Sequence, residues 1–80
     1  MRLDKFLKVS RIIKRRTVAN EACDAERVSV NGRPAKASYD VKINDEITVT
    51  LGSRSLKVRV ISVNEYAQKA DAAQMYEVIE

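Results

Sequence analysis

The spacing of the apolar residues changes once along the chain, near Val28, and this change limits the fold more than any other feature. Before it, Leu3, Phe6 and Leu7 recur at the i, i+3 and i+4 spacing of an amphipathic helix. After it, apolar and polar residues alternate, as they do in strands with one buried face. Helices followed by several short strands predict an α+β domain, in which two N-terminal helices pack on a small antiparallel sheet.

The first helix is predicted from Arg2 to Lys8, with Asp4 and Lys8 as an i, i+4 pair of opposite charge. The apolar stripe continues to Ile12 and Ile13, either in the same helix or after a break at Ser10. The opposite side of this stretch holds a series of cations, namely Lys5, Lys8, Arg11, Lys14 and Arg15.

The second helix is predicted from Val18 to Ala25, with Thr17 as its N-cap. Its expected buried side consists of Val18, Ala19, Ala22 and Cys23. Small residues on that side would let the two helices pack closely. The run Lys14-Arg15-Arg16 lies in the corner between them.

The strand half begins with Val28 to Val30, and Asn31-Gly32 is a strong signal for a tight turn. Alternation then predicts strands over residues 47–51 and 56–60, with a bulge or strong twist where the pattern shifts at Ile61. Residues 66–74 are weakly helical in pattern, and residues 76–79 could form a last strand. The expected organisation is one domain over residues 1–80.

The charge of the chain is unevenly distributed. Its net charge is +4, but residues 1–36 hold ten basic and four acidic side chains, whereas residues 37–80 hold five and seven. A positively charged first half suits a polyanionic partner, although many small proteins are basic for solubility alone.

Several other classes of protein are disfavoured by composition. Cys23 is the only cysteine and there is no histidine, so neither an internal disulfide nor a zinc site is expected. No apolar run approaches the roughly 20 residues of a membrane span, and the N-terminal residues lack a signal-peptide pattern. We therefore expect a cytoplasmic protein without metal or cofactor. Eighty residues also leave no room for a separate catalytic module.

Several motifs in order resemble the S4 RNA-binding domain, whose fold is also called alpha-L. They are Arg2-Leu-Asp-Lys-Phe-Leu7, Ser10-Arg11, Lys14-Arg-Arg-Thr17, Val28-Ser-Val-Asn-Gly32 and the segment from Val41 to Ile47. The similarity covers residues 2–51, which leaves residues 52–80 as C-terminal strands and a short helix. Over the whole chain, including Ala72-Ala-Gln-Met-Tyr76, the sequence is similar to the stand-alone S4 proteins called RqcP, near the heat-shock protein 15 family.

The RqcP resemblance implies a non-catalytic factor of ribosome-associated quality control. Such a factor binds 23S rRNA and peptidyl-tRNA on obstructed large ribosomal subunits and supports alanine tailing by an RqcH-type partner. The expected protein is a monomer off the ribosome. The alternative is a general rRNA-binding S4 protein of the heat-shock protein 15 type, acting in ribosome recycling or assembly. An enzyme and a protein–protein adaptor are less favoured.

The resemblance also turns the basic residues into candidate RNA contacts. Phosphate binding requires cations on a rigid surface, and arginine can both hold a phosphate with two hydrogen bonds and stack on a base. The candidates are Arg2, Lys5, Lys8, Arg11, Lys14, Arg15, Arg16, Arg33 and Lys36. Of these, Arg11, Lys14 and Arg15 would share one helical face. The alternative for such a charge run is an ordinary solvated surface, and Arg16 could instead pair with Glu21 or Asp24.

Two further groups of residues have open interpretations. Tyr39, Tyr66 and Tyr76 could stack on bases, but half-buried core positions are favoured for them. Glu26 and Asn44 stand where S4 domains usually have glycine, so each is a candidate for a left-handed backbone conformation.

Overall fold

A computed structural model describes residues 1–64, 69–72 and 74–79. Two helices come first and strands follow, which confirms the predicted α+β architecture. A third, very short helix precedes the last strand. The elements are α1 Leu3–Val9, α2 Arg16–Asp24, β1 Val28–Val30, β2 Arg33–Pro34, β3 Glu46–Leu51, β4 Arg54–Val60, α3 Lys69–Ala72 and β5 Tyr76–Val78.

Helix α1 is held in place by its apolar face and by a distant segment of backbone. Its three apolar residues at helical spacing, Leu3, Phe6 and Leu7, are all fully buried. The side chain of its N-cap residue, Arg2, makes no capping hydrogen bond. Instead, Leu3 N–H donates to Tyr39 O at 2.8 Å and Asp4 N–H donates to Ala37 O at 3.2 Å. These two carbonyls satisfy amide groups that a helix N-terminus leaves without internal partners.

The chain leaves the helical conformation between α1 and α2, so the break at Ser10 is the alternative that the structure supports. Ser10 is the C-cap of α1, and Arg11 has a φ of 65°. The prediction that Arg11, Lys14 and Arg15 share one helical face is therefore wrong. A left-handed residue reverses the chain direction and cannot continue a right-handed helix.

Helix α2 begins earlier than its sequence pattern indicated. Its N-cap is Arg15, whose extended ψ of 136° precedes the first helical residue, Arg16. The prediction of Thr17 as the N-cap is wrong, because Thr17 lies inside the first turn. Ala19, Ala22 and Cys23 are buried as predicted, but Val18 is 43% exposed.

The sheet has five strands in the order β2-β1-β3-β4-β5, and all of its pairings are antiparallel. Alternate residues of the strands point toward the helices, and Val28, Ile47, Val49, Val58 and Val60 are fully buried there. The register pairs Ile47 with Val58 and Val49 with Leu56. One core therefore lies between the helices and one face of the sheet.

The C-terminal part completes this sheet. Ile61 and Ser62 both donate their N–H groups to Met75 O, at 2.8 and 3.2 Å, so two successive residues oppose one, as in a β-bulge. Met75 is buried and Tyr76 is half-buried. Tyr66 and part of the weakly helical stretch 66–74 lie outside the described residues. None of the helices in the described ranges has the length and apolar character needed to cross a bilayer.

Glu26 ends α2 in a conformation that suits glycine better, with a φ of 59°. Its N–H donates to Cys23 O at 3.0 Å, and Arg27 N–H donates to Ala22 O at 2.9 Å. This pair of hydrogen bonds is the Schellman motif, in which the left-handed residue is most often glycine. Asn44 has a φ of 76°, so both positions singled out in the sequence are left-handed.

Glu26→Gly is expected to raise the free energy of unfolding by about 1 kcal/mol, because glycine adopts positive φ without the clash of a Cβ atom. Chemical denaturation with urea measures this change. Ala25→Gly is the matched control. Because Ala25 has a φ of −83°, glycine brings no relief there, and this variant should be less stable than the parent or equally stable. An unfolding midpoint that falls for Glu26→Gly would contradict the strain.

Candidate nucleic-acid interface

The first helix and the second are joined by a polar cluster around the buried carboxylate of Asp4. Arg2 Nε lies 3.2 Å from Asp4 Oδ1, and Arg16 Nε lies 3.4 Å from Asp4 Oδ2. Asn20 Nδ2 donates to Oδ2 at 3.3 Å, and Lys5 N–H donates to Oδ1 at 2.8 Å. We call Arg2, Asp4, Arg16 and Asn20 the Asp4 cluster.

The two arginines of the Asp4 cluster are only partly withdrawn from water. The Asp4 side chain is 3% exposed, whereas those of Arg2 and Arg16 are 50% and 47% exposed. Arg2 also directs Nη2 at Asp4 Oδ2 over 3.4 Å. The carboxylate thus fixes one edge of each guanidinium group, and about half of each side chain still faces solvent. The proposed pairing of Arg16 with Glu21 or Asp24 is wrong, because its partner is Asp4.

The pKa of Asp4 reflects this arrangement. Burial removes the carboxylate from water and raises its pKa, but hydrogen bonds from Arg2, Asn20, Arg16 and the Lys5 N–H together outweigh burial, so the pKa lies below its ordinary value. Asp4 is therefore ionised at neutral pH. The cluster has two guanidinium groups and one carboxylate, and it keeps a net positive charge.

Cys23 lies on α2, three residues after Asn20 of the Asp4 cluster, and it is buried. Burial, together with the negative charges of Asp4 and Asp24, raises the pKa of the Cys23 thiol to about 11. The thiol is therefore protonated at neutral pH and acts as a small apolar core residue. This agrees with its predicted packing role.

Four of the predicted cations lie at or after the end of α1. Lys8 is in the last turn, Arg11 and Lys14 are in the connection, and Arg15 is the N-cap of α2. All four are exposed, and no ion pair joins any of them to another described residue. Lys5 is partly buried within α1. Lys8 extends from α1, and the connection presents the other three charges on loop backbone rather than on one helix face.

The remaining two cations belong to the sheet side of the molecule. Arg33 lies in β2 and Lys36 follows it, and both are exposed. Lys36 and Arg2 line one groove between α2 and the segment 34–38. Lys36 and Arg33 line a second groove, which adjoins the first and shares part of the segment 34–38 with it. Lys36 therefore connects the cation of β2 to the Asp4 cluster.

Sequence reasoning missed the role of Asp4 and Asn20. The pattern assigned Asp4 to a local pair with Lys8, but its partners are Arg2, Arg16 and Asn20. One signal was present in the sequence: Asn20 is a polar residue between the buried Ala19 and Ala22 of α2. A polar group near a buried helix face needs a hydrogen-bond partner, and an acidic residue of α1 was the available one.

Comparison with known proteins agrees with these features. The model of the S4 domain family matches residues 1–47. The RQC P-site tRNA stabilizing factor of Streptococcus pneumoniae is 54% identical over 79 residues, which is 99% of this chain and 90% of that protein. The protein of the same name from Bacillus subtilis is 53% identical over 99% of this chain and 92% of its own length. The chain belongs to the RQC P-site tRNA stabilizing factor family of S4 proteins.

This S4 family has more distant relatives with the same fold. Heat shock protein 15 of Escherichia coli strain K12 is 35% identical over 96% of this chain, but the match covers 59% of that protein. The structure described as trimeric Vibrio cholerae heat shock protein 15 superposes with a TM-score of 0.89 at 29% identity, covering 98% of this chain and 80% of that one. Both the predicted S4 fold and the resemblance to these two groups are confirmed.

Proposed function

We propose that this S4 protein is a non-catalytic RNA-binding factor of ribosome-associated quality control. It binds 23S rRNA and peptidyl-tRNA on obstructed large ribosomal subunits, and it supports alanine tailing of the stalled chain by an RqcH-type partner. The observation that carries the proposal is the 54% identity, over 99% of this chain, to a protein named RQC P-site tRNA stabilizing factor. Its place of action is the cytoplasm, and it is a monomer off the ribosome.

The cations supply the physical means of binding. Phosphate contacts by lysine and arginine dominate the affinity of most RNA-binding proteins, because each contact releases counterions from the RNA. Arg2 and Arg16 are aligned in advance by Asp4, at 3.2 and 3.4 Å, so they lose little side-chain freedom on binding. The exposed cations of the connection extend the positive surface, and the full set is Arg2, Lys5, Lys8, Arg11, Lys14, Arg15, Arg16, Arg33 and Lys36.

Arg16→Ala is expected to weaken co-sedimentation with large subunits that carry peptidyl-tRNA by about tenfold, the effect of removing one charged hydrogen bond. The domain should stay folded, since a half-exposed ion pair contributes at most about 1 kcal/mol. The binding of Arg16→Lys should be intermediate between that of the parent and that of Arg16→Ala, because lysine keeps the charge but lacks the planar guanidinium group. Arg54→Ala, an exposed arginine of β4, is the matched control and should bind like the parent.

The same experiment also measures the dependence on salt. Each lost phosphate contact should reduce the slope of log affinity against log salt by about 1. Co-sedimentation of Arg16→Ala that equals that of the parent at moderate salt would remove Arg16 from the interface. Parent protein that fails to bind subunits at any salt concentration would reject the proposed function itself.

A second candidate is a general rRNA-binding role of the heat-shock protein 15 type, in ribosome recycling or assembly. It is favoured by the TM-score of 0.89 to a heat shock protein 15 structure. The presence of peptidyl-tRNA separates the two candidates. A tRNA-stabilising factor should bind tRNA-carrying subunits more tightly than empty ones, whereas a general rRNA-binding protein should bind both equally.

A further inference from the structure

A groove beside β2 combines an aromatic residue, an apolar wall and two cations. We call it the Tyr39 groove, and the residues that line it are Val30, Asn31, Arg33, Pro34, Ala35, Lys36, Ser38 and Tyr39. Among the described residues that line it, none is acidic. None of the four residues of the Asp4 cluster lines it.

The backbone of the Tyr39 groove is fixed at both ends. On one side, β1 pairs with β2 through Ser29 with Pro34 and Val30 with Arg33, and Ala35 N–H donates to Val28 O at 3.1 Å. On the other side, Tyr39 N–H donates to Lys36 O at 3.0 Å, and Tyr39 O accepts from the first residue of α1. The groove is therefore a built feature of the domain and not a gap between loose loops.

The side chain of Tyr39 is also fixed. Its hydroxyl donates to Asp45 Oδ2 at 2.8 Å, and the buried Asp45 carboxylate accepts in addition from Lys42 N–H at 2.9 Å and Asn31 Nδ2 at 3.2 Å. The hydrogen bond to Asp45, followed by burial and nearby negative charge, raises the pKa of Tyr39. The hydroxyl proton is thus committed to Asp45. The half-buried side chain packs in part against the core, and the part of it that lines the groove is available to a ligand. A ring held in one orientation can stack on a base at low entropic cost.

The charges favour an anion in this groove over its neighbour. The neighbouring groove, between α2 and the segment 34–38, is lined by Arg2 and Lys36 but also by Asp24 and Glu26, so it holds both positive and negative groups. The Tyr39 groove is lined by Arg33 and Lys36 and by no acidic residue, and the nearby Asp45 carboxylate is buried and already accepts hydrogen bonds from Tyr39, Asn31 and Lys42. A ligand that joins a flat aromatic group to a phosphate matches these surfaces, and a nucleotide has both parts.

We propose that the Tyr39 groove binds one unpaired nucleotide of RNA, with its base stacked on Tyr39 and its phosphates held by Arg33 and Lys36. The nucleotide must be unpaired, because bases inside a duplex do not present a free face. This inference rests on the proposed function and extends it, since it names a single-stranded element as part of the bound RNA.

The test compares Tyr39→Leu with Tyr39→Phe, using a short fluorescent single-stranded RNA and the duplex that it forms with its complement. Both variants lose the hydrogen bond to Asp45, so they are matched in that loss, but only phenylalanine keeps the ring. Stacking on one aromatic residue accounts for about 5- to 150-fold in affinity for a single strand. Tyr39→Leu should therefore bind the single strand more weakly by this factor, and Tyr39→Phe should bind within about twofold of the parent. Affinity for the duplex should be the same in all three proteins.

Further outcomes separate this site from the proposed function. If Tyr39→Leu binds the single strand as tightly as Tyr39→Phe, at a temperature where both are folded, the groove proposal is overturned. If it then still co-sediments with large subunits while Arg16→Ala does not, the proposed function stands without the groove. If polyglutamate competes with the single strand and its affinity falls equally on losing the ring, the occupant is an acidic peptide and the RNA assignment is wrong. Arg33→Ala with Lys36→Ala gives an independent check, because it should weaken binding of the single strand and reduce its salt dependence.

Discussion

Asp4→Asn is expected to lower the free energy of unfolding by about 2 kcal/mol at neutral pH. The carboxylate is buried, accepts hydrogen bonds from Arg2, Asn20 and a backbone N–H, and forms an ion pair with Arg16. Asparagine keeps the shape of the side chain but removes its negative charge, and its amide NH2 group would face the N–H donors that now bind the carboxylate. The estimate is below that for a fully buried ion pair, because water still solvates about half of each arginine side chain. Urea denaturation at pH 7 measures the difference.

The pH dependence gives Asp4→Asn a sharper signature. The folded protein lowers the pKa of Asp4 below its ordinary 3.8, so the carboxylate stabilises the fold above that value. This stabilisation disappears as the pH falls through the lowered folded-state pKa, where Asp4 becomes protonated in both states. The gap between parent and variant should therefore close in acid. A gap that is constant from neutral pH to acid would show that the carboxylate charge is not its cause.

Asp24→Asn is the matched control for Asp4→Asn. Asp24 lies on α2 and is exposed, so the same chemical change should alter stability by no more than about 0.5 kcal/mol. Subunit binding should follow the same order. Asp4→Asn releases Arg2 and Arg16 from their fixed orientation and should weaken co-sedimentation, whereas Asp24→Asn should not.

Leu7→Ala is expected to have the largest effect on stability, a loss of about 3–5 kcal/mol. Leu7 is fully buried between the helices and the sheet, and removing three carbon atoms leaves a cavity that the packed core fills only in part. A domain of this size has a total stability of roughly 4–12 kcal/mol, so the variant should be close to unfolding at physiological temperature. Thermal unfolding followed by circular dichroism provides the measurement.

Ile43→Ala is the appropriate comparison, because it also shortens an aliphatic side chain but at a residue that is 59% exposed. It should change the free energy of unfolding by less than about 1 kcal/mol. Equal losses for the two variants would contradict the assignment of the core.

Ile12, which its spacing placed in the core with Leu7, is only half-buried, whereas Ile13 is buried. Its truncation should therefore cost less than the full core value.

The sequence predicted the elements whose patterns are local. Helical spacing of Leu3, Phe6 and Leu7 identified α1, and alternation identified β1, β3 and β4, because burial of one face imposes those periods directly. The Asn31-Gly32 turn was also predicted from a local feature, namely residue type. Both residues have positive φ, at 53° and 85°, and asparagine and glycine adopt positive φ most readily.

The connection between the helices could not be predicted in the same way. Ile12 and Ile13 continue the helical spacing, and no glycine or proline marks the reversal at Arg11. The left-handed conformation there is imposed by tertiary packing, which buries Ser10 and Ile13 on either side of Arg11. The Asp4 cluster could not be predicted for a related reason. Asn20 lies 16 residues after Asp4 in the sequence, which is beyond the range of any local pattern.

The backbone acceptors of α1 have a consequence for the order of assembly during translation. Leu3 and Asp4 donate to the carbonyls of Tyr39 and Ala37, which enter the chain more than thirty residues later. Until those residues have been added and have left the exit tunnel, a nascent first helix has water in place of its native acceptors. Short isolated helices are only marginally stable in water. We therefore expect α1 to become stable only after the turn at residues 36–39 has been synthesised and can supply these acceptors.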